Sequence, residues 1–334
     1  MRFVFLIPDL DYSGFWEKVG DMGLKFRLKF VKDWTRLRTM RSDAVSGGTL
    51  NIMRHCWLAR QCGTDSVLAT IRGKDTYGQD GLHNLPFIRW SDRREDDICI
   101  IPDYVTELIN EVKGPAIAYQ QVPFHTRNNF NYQDSRISIW VDSLYMEEIC
   151  RKTYPGKAIE MVPKVVDNNT FPFIPQEQRE AGVLFTFALE NPEFINETQK
   201  QYQQLGGNYW KFERRQGLSF HHRAQDFHRP QALLVSNQMD GGALILQEAM
   251  ASGIIVVGRS APGTHFRMEH GETAMIGDTP QKAAECLREL EEQALRDRLS
   301  HNAKEAMSSY FPSEEPTRFW QRTIKQYESV VTHK

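Results

Sequence analysis

The stretch from Ser236 to Gly258 constrains this chain most. An apolar run, Ala232 to Val235, leads into it and predicts a buried strand. The pair Gly241-Gly242 follows, and Ala243 to Ala251 then reads as a helix closed by Gly253. A second apolar run, Ile254 to Val257, predicts another buried strand. Strand, glycine turn, helix and strand form one parallel unit. The turn of such a unit opens beyond the carboxyl ends of the strands, where open parallel sheets bind ligands. Asp240 stands at that turn, and Glu248 lies eight residues later on the helix. The backbone N–H groups of Gly241, Gly242, Ala243 and Leu244 open the helix. They suit a phosphate or a sugar, and the helix dipole there favours negative charge.

Further alternating elements precede this unit. Strands are predicted at Arg2–Ile7, Ser66–Ile71, Asp97–Pro102, Pro115–Tyr119, Ile137–Val141 and Ala158–Val162, with helices from Gly47, over Asp103–Val112 and over Ser143–Lys152. Their alternation implies a parallel sheet covered on both faces. A proline-rich crossing, Pro163 to Pro175, separates this half from a second series. That series places strands at Val183–Phe187 and Asn208–Phe212, and helices at Ile195–Leu205 and Leu218–Asp226. A long helix over Pro280–Leu299, another over His301–Tyr310 and an amphipathic one over Glu314–Val331 close the chain. The fold class is therefore α/β, with two doubly wound domains facing each other across a cleft. Residues 1–165, with about 314–334, make the first domain, and 166–313 the second. A 334-residue chain is long enough for two such cores.

The connection after the first strand is too long for a compact unit, where about 2–6 residues are usual. Its residues 9–45 hold Lys25, Arg27, Lys29, Lys32, Arg36, Arg38 and Arg41, the most basic part of the chain. One reading is a solvated edge hairpin or a subunit contact. The other is a surface that meets anionic lipid or an anionic acceptor, attracted by roughly 1 kcal/mol per basic residue near a charged membrane. The net charge of -2 speaks against a nucleic-acid binder. The five cysteines are scattered without Cys-x-x-Cys spacing, which points to a reducing cytoplasm and away from disulfides or structural zinc. His221, His222 and His228 do not give two ligands and a carboxylate on one face, so no metal site is expected.

The residues of the organising stretch carry a resemblance. Asp240-Gly-Gly-Ala-Leu-Ile-Leu-Gln-Glu248-Ala-Met-Ala-Ser-Gly253-Ile-Ile-Val-Val resembles the donor-binding motif of family-4 glycosyltransferases (glycosyltransferase group 1), retaining enzymes of the GT-B fold. Aspartate stands first where that family usually has glutamate. Val45-Ser-Gly47-Gly48 is similar to its glycine-rich loop, Ile159 to Phe171 to its interdomain crossing, and Ser260-Ala-Pro-Gly-Thr with His270-Gly-Glu-Thr-Ala-Met to the segments after the donor helix. The resemblance implies a hexosyl or related transferase that moves a sugar from a nucleotide-sugar donor to a glycan, lipid-linked or other hydroxyl acceptor. It needs no bound metal or other cofactor and belongs to polysaccharide or glycoconjugate biosynthesis. Glu248 would then accept hydroxyls of the ribose and Asp240 those of the donor sugar. Gly47, Gly48 and the residues from Gly241 to Leu244 would line the donor site. The location implied is cytoplasmic, with peripheral contact at the inner face of a membrane through the basic segment.

Two departures from the family pattern stand out. After the Val183–Phe187 strand the family places an arginine and a lysine on the pyrophosphate, but this chain has Ala188-Leu-Glu-Asn-Pro-Glu-Phe, without a base. Substitutes from elsewhere (Arg214, Arg215 and Arg259 are nearest by motif position), an unusual donor, or donor binding without efficient turnover would each account for it. On the acceptor side Gln120 and Gln121 stand near the family's sugar-contacting histidine, and His125 follows slightly later. His125 is either that catalytic-site histidine or a structural one. The competing functions are a weakened glycosyltransferase-like subunit that assists a partner enzyme, and another GT-B enzyme such as a sugar-nucleotide epimerase or a phosphorylase.

Overall fold

The computed structural model describes residues 1–7, 47–71, 85–187, 191–215, 220–237, 242–263 and 267–332. The basic segment, Asp240 and Gly241 lie outside these residues. The first sheet has seven strands: β1 (Phe3–Leu6), β2 (Val67–Thr70), β3 (Phe87–Arg89), β4 (Ile98–Pro102), β5 (Ala116–Gln120), β6 (Ile137–Val141) and β7 (Ile159–Met161). Their order is β3-β2-β1-β4-β5-β6-β7, and every pair is parallel. The chain winds outward from β1 in one direction and then, from β4, in the other. The reversal lies between β1 and β4, whose carboxyl ends flank the crevice that suits a ligand. Helix α1 (Gly47–Gln61) packs beside β1, and α2 (Leu144–Thr153) joins β6 to β7. Ser143 caps α2 by accepting the Met146 N–H.

The second sheet repeats the design. Its elements are β8 (Val183–Phe187), α3 (Pro192–Gln204), β9 (Lys211–Arg215), α4 (Phe220–Asp226), β10 (Ala232–Val235), α5 (Leu244–Ala251), β11 (Ile255–Gly258) and β12 (Met275–Ile276). The order β12-β11-β10-β8-β9, again all parallel, puts its reversal between β8 and β10. Helices α6 (Pro280–Glu289), α7 (Gln293–Tyr310) and α8 (Glu315–Thr332) complete the chain.

Strand residues alternate between two cores, as a period of two requires. Phe3 and Phe5 face inward while Val4 and Leu6 face outward. The inner core continues from Phe3 and Phe5 through Leu50 on α1 and Leu244 and Met250 on α5 to Val183, Phe185 and Leu233. One apolar body therefore spans both sheets and holds α1 beside α5. Helix α8 returns to the first sheet. Trp320 meets Phe3 edge-on at 5.2 Å and Phe319 meets Trp140 at 5.1 Å, all wholly buried. Two such rings contribute about 4–6 kcal/mol each by area. Trp320 Nε1 donates to His55 Nδ1 at 3.0 Å on α1. Burial pushes the His55 pKa down to about 3, which keeps the ring a neutral acceptor.

Four local expectations needed correction. The single helix over Pro280–Leu299 is broken at Leu290, whose side chain is wholly buried. Arg296 Nη1 donates to the Leu290 and Glu291 carbonyls at 2.7 and 2.8 Å, satisfying the end of α6. Strand β9 begins at Lys211, not Asn208, because the Tyr202 hydroxyl takes the N–H groups of Tyr209 and Trp210 at 2.9 and 3.2 Å. Asp103–Glu111 is a kinked 3-10 stretch with Val105 out of helical geometry. The short strand β3 was not expected at all.

Candidate functional site

The two glycine-led helix starts meet. A Cβ on Gly47, at the start of α1, would lie 3.6 Å from the Cβ of Leu244, at the start of α5. Gly48 is approached by Gln121 from the end of β5, whose Oε1 would stand 3.1 Å from a Cβ there and whose Nε2 donates to the Gly48 carbonyl at 3.3 Å. Gly242 has φ +132°, a conformation that L side chains avoid, and its carbonyl accepts from Lys164 Nζ. Ala243 caps α5 without a side-chain hydrogen bond. Thus Gly47, Gly48, Gly242, Ala243 and Leu244 come together where the carboxyl edges of the two sheets face one another. Asp240 and Gly241 lie outside the described residues.

Beneath this edge is a set of buried charges. Glu248 on α5 is 0% exposed. Its Oε1 accepts from Arg54 Nη2 of α1 at 2.9 Å, and its Oε2 lies 3.1 Å from Arg223 Nη2 of α4. The second contact is an ion pair by distance but is not aligned as a hydrogen bond. Arg54 also donates to the Val165 carbonyl at 2.6 Å, so it ties the first domain to the crossing segment and to α5. Burial lowers the Arg54 pKa, Glu248 opposes that, and repulsion from Arg223 adds to it. Glu248, expected to receive a ribose, is thus enclosed by two guanidinium groups.

A second pair lies alongside. Lys164 Nζ is 3.1 Å from Asp142 Oδ2, both almost wholly buried. Burial raises the Asp142 pKa to about 6 against the opposing pull of Lys164 and Arg267. Its Oδ1 finds no donor among the described residues. His125 follows β5, one-third exposed, with Nδ1 3.5 Å from Asp103 Oδ1. The other oxygen of Asp103 accepts the N–H groups of Gln121 and Val122 at 2.9 and 2.6 Å. Burial raises the Asp103 pKa, while these two bonds and His125 lower it. His125 Nδ1 makes no aligned hydrogen bond at that distance, so Asp103 and His125 are neighbours at ion-pair range only.

The three arginines nominated by motif position fare differently. Arg259 follows β11 at the carboxyl edge, over the Phe194 ring at 4.3 Å, donating to the backbone carbonyls of Ser236 and Asp278. Asn191 N donates to Ser236 Oγ, so Asn191 and Arg259 meet at the same residue. Arg215 is engaged by Asp226 at 3.0 Å and covers Phe185. Arg214 sits on the outermost strand, β9. Arg54, Arg223, Lys164, Asp142 and Asp103 were not foreseen. One signal was available for Arg54, which falls on the inward stripe of α1 with Leu50 and Leu58, an unusual place for a charge. Among the described residues no group of three or more His, Cys, Asp or Glu side chains is placed to hold a metal ion, and no helix is long and apolar enough to cross a membrane.

Comparison with solved structures finds the same fold. A glycosyltransferase from Rickettsia africae ESF-5 superimposes with a TM-score of 0.66 at 9% identity, over 100% of this chain and 99% of that one. Sucrose-phosphate synthase from Thermosynechococcus elongatus gives 0.64 at 11% identity, over 99% and 100%. Anabaena HepE in complex with UDP-glucose gives 0.60 at 12% identity, over 98% and 100%. Among curated proteins, N-acetyl-alpha-D-glucosaminyl L-malate synthase of Bacillus anthracis is 27% identical over 101 residues, which is 29% of this chain and 25% of that protein. No family model matches the chain. The α/β architecture of two Rossmann-like sheets expected from the sequence is therefore the one observed, and it is the GT-B fold of these glycosyltransferases.

Proposed function

We propose that this protein transfers a sugar from a nucleotide-sugar donor to a hydroxyl acceptor. The observation that carries the reading is the meeting of two glycine-led helix starts, at Gly47 and Leu244, with Glu248 one turn inside the second. Backbone N–H groups at such starts suit a diphosphate, and the position is the carboxyl edge of both parallel sheets. HepE, which shares the fold along its whole length, was crystallised with UDP-glucose. In this reading Asp240 and Glu248 accept hydroxyls of the donor sugar and of the ribose. His125, beside Asp103, serves the sugar or the acceptor hydroxyl. Similarity of the Asp240–Gly253 block to family-4 enzymes supports retention at the anomeric carbon without a bound metal. It also supports a glycan or lipid-linked acceptor in polysaccharide or glycoconjugate biosynthesis. Residues 1–165 with 314–334 then form the acceptor domain and 166–313 the donor domain. The reading extends to a cytoplasmic protein whose Lys25–Arg41 segment touches an anionic membrane face.

A second reading, a weakened subunit that binds a nucleotide sugar for a partner enzyme, is favoured by the arginines that enclose Glu248 and by the absence of a base from Asn191 to Phe194. One experiment separates the two. The chain is incubated with a panel of nucleotide sugars in EDTA, and binding and slow donor hydrolysis are both scored. Binding with hydrolysis is expected; binding without hydrolysis or transfer to any acceptor favours the subunit, and no binding removes both. Glu248→Ala should abolish binding, and full affinity in that variant contradicts the site.

A further inference from the structure

Strands β8 and β10 flank the reversal of the second sheet, and their carboxyl ends open a crevice of the kind where parallel sheets take ligands. Asn191, the N-cap of α3 beyond β8, donates its N–H to Ser236 Oγ just after β10 at 2.8 Å. Arg259, which follows β11, reaches the same residue. Its Nη1 donates to the Ser236 carbonyl and its Nε to the Asp278 carbonyl, both at 3.2 Å. Its guanidinium lies 4.3 Å over the ring of Phe194, in the first turn of α3. These partners orient Arg259 without neutralising it. Arg54 and Arg223 face Glu248, Arg215 faces Asp226, and Lys164 faces Asp142. Arg259 instead meets two carbonyls and a ring face. Among the described residues no carboxylate stands within ion-pair distance of it, those of Glu193 and Asp278 included. A carbonyl dipole or a ring quadrupole attracts a cation but carries no net charge, so the unit positive charge stays whole. The N–H groups on Nη2 have no partner among the described residues.

A diphosphate is the partner this arrangement fits. Its oxygens accept charge-assisted bonds from a planar guanidinium, stronger than bonds between neutral groups. The Phe194 ring and the two carbonyls fix the plane of Arg259 in advance, which lowers the ordering cost of binding. Helix α5 also begins beyond β10, so its first N–H groups share this carboxyl edge with Arg259. We infer that Arg259 is the cation this chain offers to the diphosphate of its nucleotide donor, supplied to the start of α3 from β11 because the sequence from Asn191 to Phe194 holds no base. The inference rests on the nucleotide-sugar reading above. It also divides the three arginines nominated by motif position. The charge of Arg215 is matched by Asp226, and Arg214 lies on the outermost strand, whereas Arg259 stands beside the reversal itself.

The test is calorimetry on the full chain with UDP, GDP and ADP, each beside its own nucleoside. For the base that wild type binds, Arg259→Gln should weaken the diphosphate about 10- to 100-fold, the loss of one charge-assisted bond. The nucleoside, which carries no phosphate, should bind that variant as it binds wild type. Arg259→Lys keeps the charge without the planar fork and should recover part of the diphosphate affinity. If Arg259 only ties strand ends together through the Ser236 and Asp278 carbonyls, both probes will weaken together. That result, or an unchanged diphosphate affinity, overturns the inference and leaves the nucleotide-sugar reading standing. If wild type binds none of the probes, the nucleotide-sugar reading fails and this inference with it. Should the glutamine variant not fold, or the nucleoside bind too weakly to measure, a crystal structure of wild type with the diphosphate decides. A phosphate oxygen within hydrogen-bond distance of Arg259 Nη2 is expected, and phosphates held elsewhere refute the assignment.

Discussion

Replacing Glu248 by Gln tests how the buried charges are balanced. The substitution keeps shape and removes one negative charge, leaving two guanidinium groups against a neutral amide where a carboxylate stood 2.9 and 3.1 Å away. Removing one partner of a buried ion pair costs about 3–5 kcal/mol, because the remaining charge stays uncompensated. Arg54→Met does the reverse. It removes one of the two cations on Glu248 and leaves the Arg223 contact in place. What is lost is the charge-assisted bond to Glu248, about 1.5–3 kcal/mol, and a bond to the Val165 carbonyl, about 1 kcal/mol. Part of this returns, because burial and the repulsion of Arg223, which both lower the Arg54 pKa, no longer weigh on the folded state. The net cost of Arg54→Met should be no more than about half that of Glu248→Gln. In the double variant the costs should fall short of additive, since the two substitutions remove the same Arg54–Glu248 contact. Urea unfolding followed by tryptophan fluorescence measures all three. An Arg54→Met cost equal to or above that of Glu248→Gln, or additive costs, would refute the view of Arg54, Glu248 and Arg223 as one coupled unit.

Three further outcomes are expected. Asp142, with its pKa raised from 3.8 to about 6, adds stability that is fully present below the unfolded value and is lost as pH rises through 6. Relative to Asp142→Asn, wild type should therefore lose up to about 3 kcal/mol between pH 4 and 6.5, read from melting curves across that range; a flat difference would show that the carboxyl titrates normally. Trp320→Ala should cost about 3–5 kcal/mol by cavity formation, while Trp320→Phe should cost about 1–3 kcal/mol by leaving His55 Nδ1 without its donor. A melting temperature unmoved by Trp320→Ala would mean that α8 does not hold the first sheet. Gly242→Ala forces an L side chain to φ +132° with its Cβ 2.8 Å from Lys164 Nζ, at about 1–3 kcal/mol; calorimetry should show weaker nucleotide binding as well, and an unchanged melting point would contradict the strained turn.

What could be read along the chain was what neighbours in sequence decide. Strands such as Ala232–Val235 and Ile137–Val141 were legible because parallel strands are buried on both faces and so appear as apolar runs. The start of β9 was not, since it is set by a hydroxyl from Tyr202 on another element, nor was the break between α6 and α7, which Arg296 stabilises from beyond it. The same division runs through the site. A local motif singles out Glu248, because its spacing from the glycine turn is a matter of eight residues. Its partners are not local: Arg54 is 194 positions away and reaches Glu248 only because the inner core packs α1 against α5. The loop after β8 was read as missing its cations, which holds for that loop alone. A diphosphate responds to charge in space, and the guanidinium groups nearest the buried carboxylate come from α1 and α4, elements that no single motif spans. A base-free loop therefore does not by itself imply a site without cations.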